Sequence, residues 1–312
     1  MRGAEPEVRD EADIVRPPRD AVPQPLADAL TAAGLDVGHV YDHVAAAVAE
    51  DLPGADVTSR STVPDDREAW ADLVARADGV VAGLAVAEMV LWYVAGPRLR
   101  VERPMADGRQ VRRGDVLLSV RGPVRLLLAA ERTALNYLCH LSGVATTTRR
   151  WVSALAGTGA QVRDTRKTVP HFRALEKYAV RCGGGVNHRA TLSDQALVKD
   201  NHVLAAGGVV PAYEAVRARY PELPVQVEVT TLDQLRALLD AGASQILLDN
   251  MSTDQMAEAV RVTAGRAKLE ASGGLTIEQA REVAGTGVDY LAVGALTHSA
   301  PVLDVAMDLR GS

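Results

Sequence analysis

The sequence predicts an α/β protein, with a small α+β domain leading into a parallel β/α barrel that stops short of closing. Three observations carry this. After Gly143, short apolar runs alternate with amphipathic helical stretches, at residues 161–163, 196–198, 225–229, 245–248, 267–269 and 290–293. That alternation builds a parallel sheet covered by helices. The last four runs recur at nearly even intervals, as compact β-loop-α-loop units do. Finally, roughly 150 residues remain for these units, against ~250 for a closed eight-stranded barrel, so six to seven strands are expected.

Before Gly143 the pattern is more mixed. Residues 26–50 carry apolar side chains at helical spacing, in pieces broken at Gly34 and again near Gly38. Residues 52–64 read as loop, 69–77 as strand and 86–94 as helix. Asp107-Gly108 is a turn signal, and 112–122 is a short strand bounded by glycine. These elements suggest a structural or dimerising domain without chemistry of its own. Residues 124–141 then form a helix with Leu127, Leu128, Leu135, Leu138 and Leu141 on its apolar side. Arg125, Ala129, Arg132, Asn136 and His140 line another face, where Arg132 reads from spacing alone as a solvated residue. In the second half, Gly242 and Gly287 fall where helix C-terminal glycines belong.

Composition excludes several function classes. No run of eighteen apolar residues exists, so no spanning helix is expected. The formal net charge is -6 and only 4% of residues are aromatic, which argues against a nucleic-acid partner. Cys139 and Cys182 give neither a disulfide framework nor a CxxC metal spacing, as expected in a reducing cytoplasm. The charged, Pro-containing stretch through residue 24 is expected as a disordered tail, neither signal nor transit peptide.

Against that acidic background, residues 163–199 carry eight Lys/Arg and three Asp/Glu. Of the chain's four lysines, Lys167, Lys177 and Lys199 fall here, in a protein that otherwise uses arginine. A basic island in an acidic chain points to a small polyanionic ligand. The residues closing the apolar runs are ionic or polar: Asp164, Arg166 and Lys167; Lys199 and Asp200; Glu228; Asp249 and Asn250; Glu270 and Ser272; then Gly294. Loops after barrel strands form the active-site face, so these side chains should converge on one mouth. Ser272-Gly273-Gly274 and the turn from Gly294 to His298 follow the last two strands, where glycines let backbone N–H groups approach a phosphate.

ERTALNYLCHLSGVAT, DTRKT, LEKYAVRCGGGVNHR, LVKDNH, VEV, ILLDN, EASGG and VDYLAVGALTHS occur in that order over roughly residues 30–310. On these motifs the chain resembles the quinolinate phosphoribosyltransferases, the nicotinate-nucleotide pyrophosphorylases of type II phosphoribosyltransferase fold. The resemblance implies an N-terminal α/β sandwich over 25–134, an incomplete α/β barrel over 135–298 and a C-terminal helix over 299–312 returning to the first domain. It also implies a cytoplasmic homodimer, possibly a higher assembly, whose active site is shared between subunits.

Resemblance likewise supplies the roles. Arg166, His188, Arg189 and Lys199 would hold quinolinate, with Arg132 completing the pocket from the partner subunit. Lys167 and Lys199 would face phosphoribosyl pyrophosphate, and Glu228 and Asp249 would hold ribose hydroxyls and Mg²⁺. Ser272, Gly273, Gly274 and Gly294 would take the 5′-phosphate, and Thr165 and His298 belong to the same substrate-binding set. Lys167, Lys199, Glu228 and Asp249 are the catalytic candidates. Two features depart from the family pattern: Pro170-His171-Phe172 replaces the common Pro-Gly-Leu, and Gln226 and Thr230 stand where acids are frequent. A paralogue acting on another azaheterocyclic acid, or a non-catalytic phosphate-binding barrel, remain as other readings.

Overall fold

The computed structural model describes residues 14–311. Residues 14–143 with 301–311 form one compact unit and residues 144–300 another. The division falls inside a long helix, α5, between Gly143 and Val144, and not at the expected 134/135.

The first unit begins with helices α1 (Gln24–Ala32), α2 (Val37–Asp51) and α3 (Val57–Thr62). Strands β1 (Glu68–Ala75) and β2 (Gly79–Val80), helix α4 (Leu84–Ala95), strands β3 (Arg100–Glu102), β4 (Gln110–Val111) and β5 (Val116–Pro123), and the first part of α5 (Val124–Ala154) follow. Helix α4 is almost wholly buried and apolar on every side except at Glu88, whose carboxylate accepts from Arg103 Nε at 2.7 Å. Beside it pack α1 and α2, which bury Leu26, Leu30, Val40, Val44 and Val48.

Three expectations are corrected in this unit. Gly38 does not break a helix: it lies in the first turn of α2, which starts at Asp36 because that carboxylate accepts the His39 N–H at 2.7 Å. Residues 52–64 are not all loop, since Asp56 caps α3 by accepting from Thr58 and Ser59. The expected C-terminal helix is a strand, Val305–Leu309, antiparallel to β1 in a sheet ordered C-terminal strand, β1, β5, β3. Its backbone groups facing β1 are satisfied by that pairing, and Arg310 adds a fork onto Asp72 at 2.7 and 2.8 Å. Of the expected N-terminal tail, residues 1–13 lie outside the described residues. From Ile14 the chain is described, and the Val15 and Arg16 N–H groups donate to the Val94 and Tyr93 carbonyls.

The second unit contains the rest of α5, then β6 (Gln161–Arg163), α6 (Arg173–Cys182), β7 (Ala196–Val198), α7 (Asp200–Ala206), α8 (Val209–Arg219), β8 (Val225–Val229) and α9 (Leu232–Asp240). It continues through β9 (Gln245–Asp249), α10 (Thr253–Thr263), β10 (Lys268–Ser272), α11 (Ala280–Gly285), β11 (Tyr290–Ala292) and α12 (Ala295–His298). All six strands are parallel, in the order β6, β11, β10, β9, β8, β7. Buried Val225, Val227, Val229, Ile246, Leu248, Leu269 and Leu291 give these strands the near-continuous apolar character of a sheet covered by helices. Gly242 and Gly287 have the positive φ, 83° and 95°, expected after a helix. This is the open barrel of six strands that the spacing predicts.

Within the first unit, Gly143 shows how tightly α5 is packed. A Cβ there would come within 2.8 Å of the Val302 Cα, which nothing short of a backbone shift relieves. In a solvent-facing helix, glycine to alanine stabilises by about 1 kcal/mol. Here the sign should reverse. Gly143→Ala is expected to lower stability by about 1–3 kcal/mol in thermal unfolding. Gly54→Ala, which meets open space, should leave the midpoint within about 0.5 kcal/mol of unchanged.

Candidate functional site

Side chains alternate along a strand, so every second residue near the carboxyl end of a barrel strand faces one common space. Here β6 delivers Thr165, Arg166 and Lys167, and β7 delivers Lys199. From β8 comes Glu228 and from β9 Asp249. Strand β10 ends in Ser272, Gly273 and Gly274, while β11 leads to Gly294 and, across α12, His298. His188 and Arg189 enter from the segment before β7. All of them line a single cavity of about 870 Å³.

Arg132 does not line it. This side chain is exposed on α5 in the first unit, beside a depression lined also by Glu131, Asn136, Cys139 and Asp304.

One wall of the cavity is cationic. Burial, and after it the like charge of Arg166, holds the Arg189 guanidinium below its ordinary range. Arg166 Nε is buried with no hydrogen-bond partner among the described residues. Two guanidinium groups so disposed suit a planar dicarboxylate. Lys167 is exposed in the cavity, its carbonyl pinned by the Thr297 hydroxyl at 2.7 Å.

The facing wall is acidic. Burial pushes the Glu228 carboxyl above its ordinary range and Asp249 adds to that, while Lys199 at 3.7 Å opposes it. Asn250, at φ 53°, donates its side-chain amide to Asp249 at 2.7 Å. The Asn250 backbone would lie 2.9 Å from a Cβ at residue 273, where φ is 110°. Only glycine fits there, and Gly273 and Gly274 bring bare backbone to the cavity lining.

Beneath both walls runs a buried polar framework. Asp164 accepts from Lys177 Nζ at 2.5 Å, from the His188 N–H at 2.7 Å and from Asn187 Nδ2 at 2.6 Å. His188 Nδ1 accepts the Arg189 N–H at 2.7 Å, so Nε2 carries the proton and donates to Gln226 Oε1 at 2.7 Å. Gln226 Nε2 passes the chain to Glu270 at 3.0 Å, and Arg163 meets the same carboxylate oxygen at 2.8 Å while stacking 3.9 Å from the Tyr290 ring centre. Burial holds the His188 imidazole below its ordinary value. With both ring nitrogens engaged, His188 lines the cavity as a neutral, oriented ring.

Sequence reasoning named Asp164 and Glu270 as strand-closing residues but not as site residues, and gave Lys177 and Arg163 no role. Gln226 and Arg163 lie two residues before Glu228 and Thr165, so period-two alternation was the available signal for both. Nothing in the sequence pairs Lys177 with Asp164.

Residues 56–142 match the N-terminal domain of quinolinate phosphoribosyl transferase, and residues 144–308 match its C-terminal domain. The nicotinate-nucleotide pyrophosphorylase (carboxylating) of Mycobacterium leprae (strain TN) is 52% identical over 273 residues, covering 86% of this chain and 96% of that protein. A probable nicotinate-nucleotide pyrophosphorylase (carboxylating) of Bacillus subtilis (strain 168) is 39% identical over 261 residues, covering 83% and 90%. The crystal structure of NadC from Streptococcus pyogenes superposes with a TM-score of 0.84 at 39% identity, covering 89% of this chain and 97% of that one.

The framework has a signature in solution. His188 should appear predominantly as the neutral Nε2–H tautomer in nitrogen-15 imidazole spectra at about pH 6.5, where an ordinary imidazole is half protonated. Because the folded value is depressed, its stabilising contribution is full above about pH 6.5 and is lost as pH falls toward the folded value. The stability gap between wild type and His188→Asn, followed by chemical denaturation, should therefore shrink between about pH 7.5 and pH 5. A gap that widens on acidification would contradict the assignment.

Proposed function

The chain belongs to the quinolinate phosphoribosyltransferase family, and on that premise we propose that it transfers the phosphoribosyl group of phosphoribosyl pyrophosphate to quinolinate with decarboxylation. The products are nicotinate mononucleotide, pyrophosphate and CO₂, as in de novo NAD biosynthesis. One observation carries the reading. A single cavity joins two mutually repelling arginines, an acidic pair and a glycine turn, which are the complements of a dicarboxylate, a ribose and a phosphate.

Arg166 and Arg189 hold the two carboxylates and fix the pyridine ring, so its nitrogen faces the anomeric carbon. His188, neutral, orders the Arg189 backbone. Lys167 and Lys199 attract the pyrophosphate and stabilise charge as it leaves, and Lys199 also borders the quinolinate pocket. The nitrogen lone pair forms the new bond as the bond to pyrophosphate breaks, through an oxocarbenium-like transition state. Glu228 and Asp249 hold the ribose hydroxyls near that positive charge. The 5′-phosphate rests on Ser272, Gly273, Gly274 and Gly294, with Thr165 and His298 at its edges. The carboxylate beside the ring nitrogen then departs as CO₂, its electron pair left on a carbon that the pyridinium stabilises and that takes a proton from solvent.

Mg²⁺ fits the residues present. Glu228 and Asp249 are hard oxygen donors whose mutual repulsion a divalent cation would relieve. No group of three or more His, Cys, Asp or Glu residues is arranged for a metal among the described residues, so substrate oxygens would complete the shell. When bound, the ion supplies charge neutralisation to the pyrophosphate.

Arg132 is exposed and is not among the residues lining the cavity, which supports its delivery to a partner's site in a homodimer. No helix among the described residues is long and apolar enough to cross a membrane, and we place the enzyme in the cytoplasm as part of the same proposal.

Pyrophosphate and CO₂ release from quinolinate, phosphoribosyl pyrophosphate and Mg²⁺ tests the activity directly, and chelation should abolish it. Arg166→Ala and Arg189→Ala should each lower kcat/KM for quinolinate by about 100-fold or more, since each leaves a carboxylate unpaired. Near-normal turnover in either variant would overturn the assignment. Mixing Arg132→Ala protein with Arg166→Ala protein should restore part of the activity through hybrid dimers. No recovery after subunit exchange would refute the shared site.

A further inference from the structure

Lys177 is one of only four lysines, yet it does not line the cavity and the transfer reaction does not use it. Its side chain is buried. Nζ donates to Asp164 Oδ1 at 2.5 Å and to the His188 carbonyl at 2.8 Å. Asp164 is fully buried and belongs to the loop that carries Arg166 and Lys167. The His188 carbonyl belongs to the segment that carries Arg189. One ammonium therefore clasps the two segments whose arginines repel one another.

A second bridge lies one helical turn away. Arg173, four residues before Lys177 on α6, donates Nε to Thr168 Oγ1 at 3.1 Å and Nη1 to the Ala190 carbonyl at 2.9 Å. The same face of α6 thus ties both segments twice. The reason for a lysine is steric: a compact ammonium reaches a carboxylate and a carbonyl from one point, where a planar guanidinium needs a wider slot.

The geometry points to Lys177, with Asp164, as a positioning residue that sets the separation of Arg166 and Arg189 and so the fit of the dicarboxylate. The inference rests on the activity proposed above. It separates the two substrates, because the donor side has its own anchor: the Thr297 hydroxyl holds the Lys167 carbonyl independently of Lys177. Loosening the clasp should spread the arginines while leaving Lys167 in place.

The test measures both KM values and kcat for wild type, Lys177→Met and the double variant Lys177→Met/Asp164→Asn, with thermal unfolding as a check on folding. Lys177→Met leaves the Asp164 carboxylate buried without its cation, so this variant is the one at risk of misfolding. The double variant removes both charges of the pair and carries the test in that event. Lys177→Met is expected to raise KM for quinolinate about tenfold or more, with KM for phosphoribosyl pyrophosphate within about threefold. The double variant should regain folding stability but keep the raised quinolinate KM. A folded variant with wild-type quinolinate KM, or with both KM values rising in parallel, would overturn the inference. So would failure of both variants to fold, which would assign the pair to folding alone. Wild-type protein without quinolinate-dependent pyrophosphate release would instead overturn the activity itself, a result seen before any substitution is made.

Discussion

Bringing two like charges, Arg166 and Arg189, to the lining of one cavity is the constraint on which the rest of the site depends. Two guanidinium groups facing one cavity separate unless something rigid holds them, and a rigid pair is worth more to a dianion than a mobile one. Rigidity comes from below. The Asp164 carboxylate, fully buried, takes hydrogen bonds from Lys177, Asn187 and the His188 backbone, so it satisfies its charge while linking two segments of different strand ends. Burial would be costly for either charge alone; together, with every oxygen bonded, they form a fixed joint.

The same logic runs through the neutral half of the framework. His188 accepts the Arg189 N–H at Nδ1 and donates its own Nε2–H to Gln226 Oε1, and Gln226 in turn donates to Glu270. An acid at position 226 would place a second carboxylate beside Glu270 and favour a charged imidazole. The amide found here adds no such charge: burial holds the imidazole neutral, and Arg163, stacked on Tyr290, meets Glu270 directly. The departure of Gln226 from the family pattern therefore has a structural consequence beneath the mouth, two residues from Glu228.

Much of this was legible in the sequence. Barrel strands are read from apolar runs, and their ionic termini from position alone, so Arg166, Lys199, Glu228, Asp249 and Ser272 were placed on a common mouth before any coordinates. Helix α6 was less legible. Its Lys177 contacts Asp164 and His188 through loops whose path no periodicity encodes. The C-terminal helix that the resemblance implied is a strand, and no local pattern announces it: residues 305–309 gain their order from partners far away in the sequence. Asp36 and Asp56 show the opposite failure, where local caps decided helix starts that were read as breaks or loop.

Charge complementarity to a dicarboxylate is the account's central claim, and calorimetric titration of the wild-type protein with quinolinate and with nicotinate tests it most directly. Nicotinate lacks the carboxylate next to the ring nitrogen and so leaves one arginine of the pair without a partner. The account predicts that quinolinate binds at least about 100-fold more tightly than nicotinate, the discrimination expected when a charged hydrogen-bonding group is left unpaired. Equal affinity for the two acids would contradict it.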